Sequence, residues 1–167
     1  MKTKAAVLYE IGAPLVIEEL ELEGPKANEV LVKYTASGIC HSDYSFRYGI
    51  IKSAIPSVLG HEGAGVVEEV GSGVTDLKPG DHVIASLTPA CGNCLFCLER
   101  KPFMCVEMGK VIWQGCLPDG TTRLKNAKGQ AIGQLVGVGT FSERAVIPAG
   151  NAIKVDHNAP LDTVCLI

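Results

Sequence analysis

Cys91, Cys94, Cys97 and Cys105 stand in the run C-G-N-C-L-F-C-L-E-R-K-P-F-M-C, a C-x2-C-x2-C-x7-C spacing. Four thiolates this close can surround one Zn²⁺ ion, which binds four sulfurs tetrahedrally at roughly 2.3 Å and has no d-electron geometry of its own to satisfy. Disulfides suit the run poorly, because neighbouring pairs only three residues apart would close small strained loops. A sparser pair of metal-capable groups lies upstream: Cys40 in G-I-C-H-S-D and His61 in G-H-E-G-A-G. If the strands carrying them open on one side of a barrel, sulfur and imidazole can share a zinc. Asp43 is then available to accept a hydrogen bond from the other ring nitrogen of His61. By spacing alone, a core cysteine and a surface histidine are the commoner outcome for such a pair.

The other reactive residue types read more plainly. His82 opens a strand and His157 precedes a helix start, so both read as solvated or capped structural histidines. Cys116 has no basic neighbour to ionise it and reads as a small buried hydrophobe. Glu68 and Glu69 alternate across a strand and read as a solvated edge. Leu87 and Trp113 are apolar candidates for a substrate pocket.

These residues need elements to hold them, and the chain supplies mostly short strands. Its 167 residues, 47% hydrophobic and 20% charged with a net charge of −3, suit one soluble globular domain. Lysine and arginine are dispersed, so the basic footprint of a nucleic-acid binder is missing. Met1 to Glu10 holds no apolar run long enough for a signal peptide or a membrane span, and no membrane partner is expected. Seven cysteines, an odd count, favour a reducing, cytoplasmic setting with metal. Strands are predicted at Val16 to Leu22, Val30 to Ser37, Gly65 to Val70, His82 to Ser86 and Ala145 to Ile147, bounded by turns such as Lys78-Pro79-Gly80-Asp81. In the second of these, Val30, Val32, Tyr34 and Ala36 share one face, and Lys33, Thr35 and Ser37 the other. Short helices are expected from Ser42 to about Gly49, capped by Ser42 or Asp43, and across Cys94 to Arg100. Gly115 to Gly137 reads as a hairpin or surface excursion, and Asp156 to Asp162 as a helix start, cut short in a chain that reads as truncated.

Residues 60 to 74, G-H-E-G-A-G-V-V-E-E-V-G-S-G-V, fit the pattern G-H-E-x2-G-x5-[GA]-x2-[IVSAC] in full. With G-I-C-H-S-D upstream, the four-cysteine lobe downstream and L-K-P-G-D-H-V at 77 to 83, the chain resembles the N-terminal, GroES-like catalytic domain of zinc-dependent medium-chain alcohol dehydrogenases. The resemblance implies a mainly β fold: a partly open GroES-like β-barrel with short helices over residues 1–160. A zinc lobe spans 89–112, and 161–167 begins the connection to a dinucleotide-binding domain. It also implies one structural zinc on the four cysteines and one catalytic zinc on Cys40 and His61. The third catalytic ligand would be a cysteine just beyond Ile167, while Cys165 matches a neighbour that is not a ligand. Asp43 would orient His61, Glu62 would approach the zinc during ligand exchange, Ser42 would take the alcohol proton, and His41 would meet the cofactor pyrophosphate. Ser45 departs from family members that place a relay histidine there. The implied reaction oxidises a small-molecule alcohol to an aldehyde or ketone, through zinc-alkoxide formation and hydride transfer to NAD, in a homodimeric or homotetrameric parent protein.

No G-x-G-x-x-G run occurs, so cofactor binding is expected outside these residues and the isolated chain is expected to be inactive. The alternative is a non-enzymatic, zinc-stapled interaction module of the same fold. The intact set of Cys40, Ser42 and His61 argues for the enzyme.

Overall fold

Lys2–Leu8 (β1) and Val16–Leu22 (β2) open the chain, followed by Glu29–Gly38 (β3) and the helix His41–Arg47 (α1). Ser57–Val58 (β4), Glu62–Val70 (β5) and His82–Ala85 (β6) come next, then the helices Leu95–Leu98 (α2) and Val106–Ile112 (α3). Leu124–Lys125 (β7), Ala131–Gln134 (β8), Arg144–Pro148 (β9), Ala152–Lys154 (β10) and the helix Leu161–Val164 (α4) complete it. This computed structural model describes residues 1–88 and 90–167, and at Ile112 the backbone alone. Pro89, the first residue of the expected zinc lobe, therefore lies outside the described residues.

Five strands close into a ring in the order β1-β2-β7-β8-β4, with β4 and β8 parallel. A second sheet, β10-β6-β5-β3-β9, stays open at both ends, so the partly open barrel predicted from the sequence is what forms. Two large apolar cores and a smaller one form among the described residues. Leu20, Leu22, Leu31, Leu124 and Ile132 fill one, while Val30, Val32, Leu59, Val83 and Ile147 fill the other. β3 belongs to both: Val30 and Val32 face one core and Leu31 the other. The predicted face of Val30, Val32 and Tyr34 is borne out, but a buried-exposed contrast begins only at Lys33, because the first half of the strand is covered on both sides.

Other expectations need correction. Gly115 to Gly137 contains the β7–β8 hairpin, but it is no surface excursion. Leu117, Leu124, Ile132 and Leu135 are buried, and the hairpin closes the barrel. Arg123 just before β7 is fully buried, its guanidinium held by Glu29 at 3.0 Å and Asp119 at 2.7 Å; a charge without those partners could not remain there. Glu68 and Glu69 lie on β5, which runs between β6 and β3 and is not an edge; Glu68 accepts a paired contact from Arg144 at 2.8 and 3.2 Å. The C-terminal helix starts at Leu161, at the far end of the predicted 156–162 stretch, since Pro160 biases the residue before it away from helix and a turn on Asp156 forms first. α4 then docks on the second sheet through Leu161 and Cys165, which pack with Ala64. No helix among the described residues is long and apolar enough to cross a membrane.

Candidate metal centres

β3 ends at Gly38, and the chain turns through Ile39 into α1. Cys40 itself caps this helix, in place of the Ser42 or Asp43 expected. Its Sγ accepts the Ser42 amide at 3.5 Å, and Asp43, three residues into the cap, takes the Cys40 amide at 3.1 Å. This is a capping box with sulfur in the role of the usual hydroxyl. The Ser42 amide and hydroxyl, followed by the His61 ring, draw the Cys40 thiol below its ordinary range. The cap therefore also prepares a thiolate.

His61 precedes β5 and is 8% exposed. Its Nδ1 lies 3.2 Å from Oδ1 of Asp43, a buried carboxylate whose same oxygen accepts the Gly60 amide at 3.0 Å. That hydrogen bond raises the His61 pKa to about 9, against the opposing effect of burial. The loop is pinned from behind by Thr140, whose amide donates to the Gly60 carbonyl at 3.0 Å. Gly60 has φ +87°, and a Cβ there would meet Thr140 Oγ1 at 2.5 Å, so the position accepts no larger residue. Thr140 escaped the sequence reading because nothing local marks it; its role comes from a contact made across the fold.

Glu62, the first residue of β5, joins Cys40 and His61: their ligand atoms all lie within 4.8 Å of one another. The structure thus brings together the Cys40, His61, Asp43 and Glu62 named from the sequence, with Ser42 half-buried beside them. A thiol, an imidazole and a carboxylate at this separation form a donor set suited to zinc. His41 is exposed at the start of α1, its ring 5.5 Å from that of Tyr44.

Cys91, Cys94, Cys97 and Cys105 form the second group. Sulfur separations of 3.5 Å (Cys94–Cys97), 3.9 Å (Cys91–Cys97) and 3.9 Å (Cys94–Cys105) bracket the edge of about 3.8 Å of a tetrahedron with zinc–sulfur bonds of roughly 2.3 Å. The amides of Cys91 and Cys94 donate to the sulfurs of Cys105 and Cys91, each at 3.3 Å, as thiolates require. All seven cysteines are free, so the disulfide alternative is not taken. Burial opposes ionisation of Cys105, but the amides of Met108 and Cys91 outweigh it and bring this thiol down to about 6; burial pushes Cys97 up to about 11. A cation allows all four to ionise together. α2 is shorter than expected, and α3, absent from the sequence reading, follows Cys105 directly.

Elsewhere, the rings of His82 and His157 lie 4.3 Å apart between centroids, tilted by 40°, and Cys116 is half-buried. Leu87 and Trp113 are both partly exposed; Trp113 lies 6.0 Å from the ring of Phe46, on the helix that carries Ser42.

The described residues thus carry, on one barrel scaffold, a compact four-thiol cluster and a separate Cys-His-Glu cluster, each able to hold a metal ion. The chain belongs to the alcohol dehydrogenase GroES-like domain family, whose family model matches residues 26–157. It is 48% identical over 167 residues to putative alcohol dehydrogenase D of Mycobacterium tuberculosis, covering 100% of this chain and 45% of that protein. It is 50% identical to the NDMA-dependent alcohol dehydrogenase of Amycolatopsis methanolica, again over all of this chain and 44% of the relative. The crystal structure of an alcohol dehydrogenase zinc-binding domain protein from Burkholderia ambifaria superposes with a TM-score of 0.91 at 38% identity, covering 96% of this chain and 44% of the other. The chain thus spans less than half the length of these relatives.

Proposed function

We propose that this chain is the catalytic part of a nicotinamide-dependent oxidoreductase acting on small-molecule alcohols or aldehydes. One zinc belongs to Cys40 and His61, with Glu62 close enough to approach it during ligand exchange, and a structural zinc to Cys91, Cys94, Cys97 and Cys105. In the family pattern a cysteine beyond Ile167 completes the first set. The observation that carries this reading is the convergence of Cys40, His61 and Glu62 within 4.8 Å, backed by Asp43 on the far nitrogen of His61. The names of the relatives support the same reaction class.

Zinc held there supplies a Lewis acid that makes an alcohol oxygen acidic near neutral pH. The residues of the chain do the rest. Asp43 accepts the Nδ1 proton of His61 and so leaves Nε2 with its lone pair for the metal. Ser42, half-buried in the first turn of α1, receives the alcohol proton on its hydroxyl oxygen while donating its own proton onward. Ser45, one turn further along α1 and buried, provides no basic side chain to end that relay, so the proton leaves through water. Exposed His41 at the start of α1 offers its ring N–H to a cofactor pyrophosphate. The complete protein is read as a homodimer or homotetramer.

The test is made on the complete protein that carries this chain, with a primary alcohol and NAD. NADH formation is expected, with loss of at least 100-fold, on the order of a general-base contribution, in Ser42→Ala at unchanged zinc content. No NADH from the wild type with any of a series of primary and secondary alcohols, or an unimpaired Ser42→Ala, would refute the reading.

A further inference from the structure

We infer that Gly38 is a positioning residue for the Cys40–His61–Glu62 centre, its missing side chain leaving the slot through which the Glu62 carboxylate reaches the other two donors. The inference rests on the metal-centre reading above and adds a residue to it. Gly38 and Glu62 are direct partners in the antiparallel β3–β5 register. A Cβ built on Gly38 would overlap Oε2 of Glu62 and come within 3.2 Å of the Glu62 Cβ. The Glu62 side chain therefore lies across the backbone of Gly38, and in that pose its carboxylate is within 4.8 Å of the Cys40 sulfur and the His61 ring nitrogen. Leu166 closes the slot from the C-terminal turn, its Cδ2 2.6 Å from the same Cβ position.

The backbone does not itself demand glycine here. Gly38 is absent from the residues with positive φ, so alanine is conformationally acceptable and the cost of a methyl group is paid through its neighbours alone. Gly38 is also buried, which leaves the methyl no route outward into solvent. The carboxylate must then swing away from Cys40 and His61. The glycine that opens G-I-C-H-S-D thus has a use separate from any turn.

Co²⁺ titration of the chain, with zinc kept on the four-cysteine lobe, reads the site directly. Gly38→Ala is expected to weaken Co²⁺ binding at Cys40–His61 roughly 10- to 100-fold, the range typical of residues that orient metal ligands, and to alter the cobalt d–d spectrum. In a Glu62→Ala background the same change is expected to add nothing further. Adding Leu166→Ala to Gly38→Ala is expected to leave the loss in place; if Gly38→Ala alone does not fold, this double variant is compared with Leu166→Ala. Unchanged affinity and spectrum in Gly38→Ala, an equal loss in the Glu62→Ala background, or recovery by Leu166→Ala would each overturn the inference. A wild-type chain that binds no second metal would instead remove the metal-centre reading, and this inference with it.

Discussion

Oδ1 of Asp43 lies 3.2 Å from Nδ1 of His61, 18 residues further along the chain, while Oδ2 of the same carboxylate holds the Cys40 amide at 3.1 Å. One buried side chain thus ties together the two segments that present the sulfur and the imidazole. Its charge is compensated by two backbone amides, those of Cys40 and Gly60, and by the imidazole.

Asp43→Ala should therefore damage metal binding although Asp43 offers no ligand atom to the Cys40–His61–Glu62 group. We expect a loss of roughly 10- to 100-fold in Co²⁺ or Zn²⁺ affinity at Cys40–His61. A fall of about 1–3 kcal/mol in unfolding free energy should accompany it, because the Cys40 and Gly60 amides lose their acceptor. Competition titration and urea denaturation measure the two effects. Wild-type affinity in this variant would contradict the proposed role of Asp43.

The same pair sets a pH dependence. His61 titrates near 9 in the fold against an ordinary 6.5, so the stability contributed by the Asp43–imidazolium contact is complete below about pH 6.5 and is lost as pH rises through 9. Metal binding runs the opposite way, since it must displace that proton, and affinity should climb as pH rises toward 9. Calorimetric titration in buffers of different ionisation enthalpy counts the protons released. Release of none between pH 6 and 8 would rule out His61 as a ligand.

Cys97→Ala tests the other cluster. It should cost the lobe its zinc and lower thermal stability, because metal-binding free energy there is folding free energy. Cys40, His61 and Glu62 belong to the β3–α1 turn and the start of β5, outside the lobe, so their Co²⁺ site should persist. Retention of full stability and of the lobe's zinc in this variant would count against a structural role.

Much of this site was legible in the sequence for a physical reason: metal ligands must be particular residue types, and their spacing in one segment survives folding. The lobe shows this best, its four thiols falling within Cys91 to Cys105 and meeting within that one segment. The Cys40–His61 pair was weaker on spacing, because the register of β3 against β5 brings its members together, and register is a property of the sheet. Thr140 left no readable trace, and Gly38 was visible only as the opening residue of G-I-C-H-S-D with no role attached, since each acts by a contact or a vacant volume on a distant segment. The fold shows the same division. β2 was predicted to the residue from its branched side chains, whereas the two-residue strands β4 and β7 have too few positions to display any period. The hairpin within 115–137 was legible from its turns, but its place closing the barrel was not, because its polar turns outnumber the buried Leu124 and Ile132.

The central claim is that this chain holds two metal centres of different kinds, and zinc content per chain tests it most directly. Elemental analysis of the purified chain should find two zinc ions in the wild type and one in Cys40→Ala, with the zinc of Cys40–His61 the first to leave on exposure to a chelator. A single tightly held zinc in the wild type, unchanged by Cys40→Ala, would contradict it.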